Sequence, residues 1–375
     1  MNNGPITPSK VRPWSLLIVP CVLILLFIQW HVKIAPRKPR VDTIMQSVRS
    51  YGRGLQGHSN PEPAAAPQKN WYEYANEIRD LLLHEKFSEL DEIARANRDG
   101  SLLAGGDWKS FDYYIAIEQP FSYHLLTDAD YQKEIATATR WKASFPESAA
   151  ARISLASFYL QYAWLARGEG YSDSVSASQW ELFHERAATA EQILKEAAQL
   201  KERDPHWYYV MIGIAKAQGW SQTDTRELLD QALAFEPGYQ HFYTAYSYYL
   251  LPEWYGNAGD IQTLAEEAAE KYPEPRGSIL YFQIMSTLGC HCRTIEEQLA
   301  KADWPKLKLG YENLTRIYGT SNYNANRLAA MAAVFCDKEA AHAAFKDVAY
   351  RDTYVWTDEA SFTSSRDWAN GPDSH

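Results

Sequence analysis

The chain has 375 residues, 46% of them hydrophobic and 14% aromatic, and its 37 basic and 47 acidic side chains give a formal charge of −10. Such a composition excludes a disordered acidic tail and suits one or two folded cores. The charge is uneven: residues 1–68 carry 8 basic and 2 acidic side chains, or +6, leaving 29 and 45, or −16, for residues 69–375. A body this negative repels a phosphate backbone and no basic stripe offsets it, so nucleic acid is excluded and a protein partner with a basic surface is favoured.

Residues 1–12 form a short N-terminal tail. From Pro13 to Val32 there are 20 residues without a formal charge, and Leu16 to Ile28 is almost wholly apolar. Twenty helical residues span roughly 30 Å, the thickness of a bilayer core. Trp14 and Trp30 stand near the ends, where indoles favour the interface. The expectation is a single transmembrane anchor over residues 13–34. A cleaved signal peptide is the rival, but no small-x-small pattern follows Ile28. Lys33, Arg37, Lys38 and Arg40 outweigh Lys10 and Arg12, which by the positive-inside rule puts the body in the cytoplasm, whereas a short tail before a large body favours the opposite side.

Residues 35–68 read as a disordered Pro/Gly/Ala-rich linker that cannot bury enough apolar surface to order itself. It contains Gly52-Arg53-Gly54-Leu55-Gln56-Gly57, a literal dinucleotide-binding string, but no buried strand precedes it and a Pro-rich run follows, so the fingerprint lacks its structural context.

Beyond Lys69 the apolar residues recur every three or four positions, as in Trp71, Tyr74, Ile78, Leu81 and Leu82, then Leu90, Ile93 and Ala94, which is helical spacing. Further helices are expected over 128–142, 149–166 and 178–200. Pro205, Pro237 and Pro273 each follow a helical run at intervals of 32 and 36 residues, bracketing the 34-residue tetratricopeptide unit. Between them, Trp207 to Ala215 and Leu228 to Phe235 mark one helix pair, and Phe242 to Tyr249 and Ile261 to Ala269 mark another. The body thus divides into an N-terminal helical region (69–145), tetratricopeptide-like repeats (146–290) and a C-terminal helical region (291–375).

Stacked helix pairs leave a concave groove. Trp207, Tyr208, Tyr239, Tyr243 and Tyr246, with Trp254, are the candidate partner-binding residues, since large amphipathic rings give much contact area for little entropy. The alternative is that most of these rings pack between helices.

Three segments carry a family resemblance: Leu251-Pro252-Glu253-Trp254-Tyr255-Gly256, the run from Asp303 to Tyr311, and Asn322-Tyr323-Asn324-Ala325-Asn326 leading to Ala333–Lys338. They resemble a bacterial family defined by a domain of unknown function, a tetratricopeptide-like helical array commonly behind an N-terminal membrane segment. The resemblance covers about residues 70 to 370 and implies an envelope protein of the bacterial inner (cytoplasmic) membrane, single-pass, with an extracytoplasmic body. It implies no activity and no catalytic residue. Its motifs are structural, the Asn-rich start being suited to capping a helix. Tyr255 between Trp254 and Gly256, and Cys290-His291-Cys292, depart from the family pattern.

Chemical motifs are few. Cys290, Cys292 and Cys336, with His291 and His342, have zinc-ligand chemistry but lack paired C-x-x-C spacing, so they are weak metal candidates beside a disulfide or free thiols. His84-Glu85 and His184-Glu185 do not continue to H-E-x-x-H, and neither a phosphate loop nor a G-x-S-x-G elbow occurs. A carboxylate pair of the glycosidase type stays open, because its members need only meet in space. The sequence therefore leads to an all-α, tetratricopeptide-like helical-repeat solenoid preceded by a single transmembrane helix. Its expected role is a protein-binding scaffold or adaptor at the bacterial cell envelope, without cofactor or catalysis. The alternatives are a membrane-tethered hydrolase or metal-dependent enzyme, and an immunity or accessory protein neutralising a secreted effector.

Overall fold

The computed structural model describes Met45 and residues 71–98, 100, 102–118, 126–168, 170–290, 302–356 and 358–372. Their regular structure is helical, with fifteen α-helices and no strand among them. In chain order these are α1 (Trp71–Leu83), α2 (Phe87–Asn97), α3 (Lys109–Glu118), α4 (Asp128–Ser144), α5 (Ala149–Arg167), α6 (Ala177–Ala197), α7 (His206–Gln218) and α8 (Gln222–Phe235). They continue with α9 (His241–Tyr249), α10 (Asp260–Lys271), α11 (Arg276–Met285), α12 (Trp304–Tyr318), α13 (Asn322–Val334), α14 (Lys338–Lys346) and α15 (Glu359–Asn370).

The membrane-anchored solenoid expected from the sequence is corrected here. Residues 13–34 lie outside the described residues, and among those described no helix is long and apolar enough to cross a membrane. The longest two show why. Helix α6, 21 residues, carries Glu181, Glu185, Arg186, Glu191, Lys195 and Glu196, and α5, 19 residues, carries Arg152 and Arg167. The charges of α6 are incompatible with a bilayer core, and α5, with Arg152, Ser154, Ser157 and Gln161 in its interior, is not apolar enough to cross one. Helix lengths also range from 9 residues in α9 to 21 in α6, where a regular repeat would hold length steady. The fold is an all-α array of unequal helices.

Local chemistry sets the boundaries. Thr127 and Ser176 begin α4 and α6 with capping boxes, closed by Asp130 and Gln179. Ser148, Ser221, Asp303, Ser321, Asp337 and Asp358 each accept a backbone N–H of the helix that follows. A Ser-to-Ala change at such a position costs about 1 kcal/mol. Pro205 stands just before α7, Pro237 between α8 and α9, and Pro273 between α10 and α11, so the three prolines mark helix breaks as their spacing implies. Gly256 admits the 251–256 turn by close approach: a Cβ there would lie 1.9 Å from the Leu250 carbonyl oxygen.

Nearly all buried apolar residues form one core cluster, running from Ala75, Ile78 and Leu82 in α1 to Phe362 and Ala369 in α15. Each buried residue of Leu or Phe size contributes roughly 2 kcal/mol. The array also ties distant parts together. The Gly105 N–H donates to the Tyr318 carbonyl and Asn324 Nδ2 donates to the Gly105 carbonyl, each at 3.0 Å, and Tyr72 packs on Tyr350 with ring centroids 5.7 Å apart. The asparagine run does more than start a helix. Ser321 is the cap of α13, while Asn322 Oδ1 accepts the Ala349 N–H at 2.9 Å and Asn326 Oδ1 accepts from Trp356 Nε1 at 2.9 Å.

Candidate functional site: a recessed carboxylate cluster

The 102–108 turn builds one wall of the site. The Leu103 N–H donates to the Asp107 carbonyl at 2.7 Å, and Gly105 and Gly106 take φ of 82° and 78°, a region that L side chains enter at a cost. A Cβ on Gly105 would come within 2.5 Å of Ser321 Oγ, so the turn can lie against the start of α13 only with glycine there. Trp108 Nε1 donates to the Gly238 carbonyl at 2.8 Å and fixes the start of α3 against the α8–α9 turn.

This placement gathers Asp107, Phe111 and Asp112 beside Gln240 and His241 of α9. Gln240 Nε2 donates to the Gly106 carbonyl at 3.0 Å and reaches Asp107 Oδ1 at 3.4 Å. The His241 imidazole stacks on Phe111 at 3.4 Å and 4°, with its Nε2 3.9 Å from Asp107 Oδ1. Asp107 keeps 21% of its side-chain surface open, yet its carboxyl is strongly desolvated. The remaining exposure is small, and Gln240 and His241 crowd the carboxyl, so desolvation dominates its electrostatics.

Burial pushes Asp107 up to about 6, against the opposing pull of Arg327 and the Gln240 hydrogen bond. Asp112 is raised well above the ordinary carboxylate range by burial and then by Asp107 itself. Among the described residues Asp112 has no hydrogen-bonding or ion-pairing side-chain partner. Its neighbours include Tyr74, Tyr239 and Tyr350, whose phenols feel its charge. Arg327 acts at a distance: it donates to the Gln283 carbonyl at 2.6 Å and lies over the Tyr323 ring. His241 is held well below its usual value by burial, His206 and Arg327, so it is neutral at pH 7 and forms no ion pair with Asp107.

Behind this wall lies a second, fully enclosed set. His206 Nδ1 meets the Tyr239 hydroxyl at 2.9 Å and its ring stacks on Tyr114 at 4.3 Å. Its Nε2 comes within 3.2 Å of Glu118 Oε1 but off the hydrogen-bonding line, leaving both atoms without an aligned bond to a described residue. The Tyr114 hydroxyl donates to Asp204 Oδ2 at 2.8 Å, the His206 N–H to Asp204 Oδ1 at 2.9 Å, and Arg98 approaches Asp204 at 3.7 Å.

The residues singled out in the sequence fall elsewhere. Trp207, Tyr208 and Tyr239 are fully buried and Tyr243 and Tyr246 nearly so, a correction to their reading as a partner-binding surface. Helices α7 and α9 pack on neighbours on more than one side, so their rings fill the core instead of facing solvent. Trp254 alone of the six is half-exposed. Cys336 is exposed and unpaired, and takes φ 53° just after α13, where its N–H meets the Ala333 carbonyl and the Asp337 N–H meets the Ala332 carbonyl. This is the helix-ending position usually given to glycine. Cys290 closes a short 3-10 helix, Ser286–Cys290, and Cys292 lies outside the described residues. No group of three potential metal ligands occurs among the described residues.

Sequence reasoning missed Asp107 and Asp112 because it missed α3, and passed over His241 at the start of a helix it did place. The stretch Tyr113-Tyr114-Ile115-Ala116-Ile117 is buried on every side and has no helical period. The one available signal was the Gly105-Gly106-Asp107 turn. No protein-family model, curated protein or solved structure matches the chain.

Proposed function

We propose that the chain is a helical-array adaptor that binds a basic segment of a partner protein, seating a lysine or arginine at Asp107 and Asp112, and catalyses no reaction. The observation that carries this reading is Asp112: a desolvated carboxyl beside a second carboxyl, without a side-chain partner among the described residues. An incoming cation relieves both the mutual repulsion and the desolvation, and the flat Phe111–His241 stack gives it an apolar floor. The net charge of −16 over residues 69–375 adds long-range attraction that steers a basic partner and weakens with salt.

Calorimetric titration of the full chain with a Lys/Arg-rich peptide, in buffers of different ionisation enthalpy, tests it. Binding releases protons near pH 6, because a cation pulls both carboxyls toward their charged forms, and Asp112→Asn lowers affinity about tenfold or more. Equal affinity for a neutral peptide, or no change in Asp112→Asn, overturns it. A second reading has one specific support. Two carboxyls driven apart in proton affinity are what general acid and base catalysis requires, so a hydrolase acting through Asp107 and Asp112 is the alternative. Turnover of a substrate that is lost in both Asp107→Asn and Asp112→Asn would favour it.

A further inference from the structure

Away from the acidic cluster, α5, α6, α7 and the segment after α9 build a patch of opposite character. Lys216 on α7 places its ammonium 4.9 Å from the ring centres of both Trp164 and Trp254 and 5.9 Å from Tyr248. Arg167, at the end of α5, lies 5.4 Å from the Trp254 ring and 5.8 Å from Trp180. Trp164 and Trp254 meet edge to face at 5.1 Å. All of these rings are half-exposed, so the patch opens to solvent.

The charge balance is what singles it out. Lys216 has no hydrogen bond or ion pair with a described residue. Arg167 spends one nitrogen, Nη1, on the Gly168 and Gly170 carbonyls, while its buried Nε has no partner among the described residues. Two neighbouring cations repel, and aromatic faces return only part of what the lost hydration cost. The titratable groups facing the pair are Tyr248 on α9 and Tyr255, beside Arg167, with His184 one ring away on Trp180. None of these supplies a negative charge at pH 7.

We propose that this patch binds a carboxylate borne on an aromatic body, the carboxylate meeting Lys216 and Arg167 and the ring packing among Trp164, Trp180 and Trp254. Arg167 Nη2, the guanidinium nitrogen not spent on Gly168 and Gly170 or buried, can donate to one carboxylate oxygen while Lys216 meets the other, and the walls give an aromatic body edge and face contacts. Burial and Arg167 push Lys216 down to about 8, and a bound anion stabilises its protonated form. Affinity is therefore level from about pH 6 to 8, falls below about pH 5 as the ligand's carboxylate protonates, and falls above pH 8 by about tenfold per pH unit once Lys216 is mostly neutral.

The test is calorimetry and ligand-observed NMR on the full chain with phenylacetate, benzylamine, inorganic phosphate and a peptide ending in phenylalanine with a free or amidated terminus. Saturable binding of phenylacetate, the free-terminus peptide or both, but not of benzylamine or the amide, is the expected result; which of the two binds shows whether the source is a small acid or a chain terminus. Lys216→Met weakens it about tenfold or more and removes the alkaline fall. Arg167→Gln, measured alongside, weakens binding and moves that fall to higher pH, since Arg167 helps hold Lys216 down. No carboxylate binding at pH 7, phosphate binding as tightly as phenylacetate, or a wild-type affinity unchanged between pH 7 and 10 overturns the proposal.

Discussion

Two desolvated carboxylates, Asp204 and the half-buried Asp112, have been treated differently by the fold. Asp204, fully buried, accepts bonds from the Tyr114 hydroxyl and the His206 N–H and faces Arg98. Asp112 has Asp107 for a neighbour and no side-chain partner among the described residues. The first is a joint that holds α2, α3 and the start of α7 together. Both are raised by desolvation, but the second has no side-chain bonds to offset it, and the proposed cation site rests on that difference. Burial alone does not separate structural from functional acids; the count of partners does.

The sharpest way to break the comparison is to remove each acid. Asp204→Ala should cost about 3 kcal/mol in urea unfolding, because Arg98 and the Tyr114 hydroxyl lose their shared acceptor inside the core. Asp112→Asn should instead raise stability at pH 7 and leave it unchanged near pH 4. Equal losses from the two variants would erase the distinction.

A pH series on the unmodified chain sharpens it further. Asp107 is held up to about 6 when folded, above its unfolded value, so its charged form opposes folding. That opposition is absent below about pH 4 and complete above pH 6, and it withdraws on the order of 2 kcal/mol across the interval. Asp112 acts in the same direction. Asp337 has the opposite sign: Lys308 first, then the Ala340 N–H and Trp304, hold it down at about 2. Its contribution is present above about pH 4 and lost as pH falls toward 2, and Asp337→Ala should cost about 1 kcal/mol, mostly as the lost cap of α14.

The smallest effect concerns the residue before it. Cys336→Gly should gain about 0.5 kcal/mol in the same unfolding assay, since Cys336 adopts the left-handed conformation that Gly219 adopts at the end of α7 with the same pair of backbone bonds. A loss would show that the sulfur makes a contact worth more than the strain.

Much of this helical course was legible. Helices α4, α5 and α6 fall within a few residues of the spans read from apolar spacing, because each opens on a capping serine or threonine, and α4 and α6 also bury a single stripe. The reading failed where burial is all-round. In α3 there is no polar face to mark a period, and in α7 and α9 an aromatic-rich segment looks the same whether its rings face a partner or a neighbouring helix. The site was illegible for a plainer reason: Asp107 comes beside His241, and within the field of Arg327, only after some 130 and 220 residues of chain have curled back, and no local pattern encodes that.

That curl has a consequence for how the chain reaches its native state. In an open stack each helix pair depends on its immediate neighbours, and folding can spread from any point. Here Asn324 bonds to Gly105 across 219 positions, and Tyr350 packs on Tyr72. Such closures must be made late and against chain entropy, and once made they couple the two ends. The array should therefore melt as one cooperative unit, and deleting α13 should release the 102–108 turn, and with it Asp107, from more than 200 residues away.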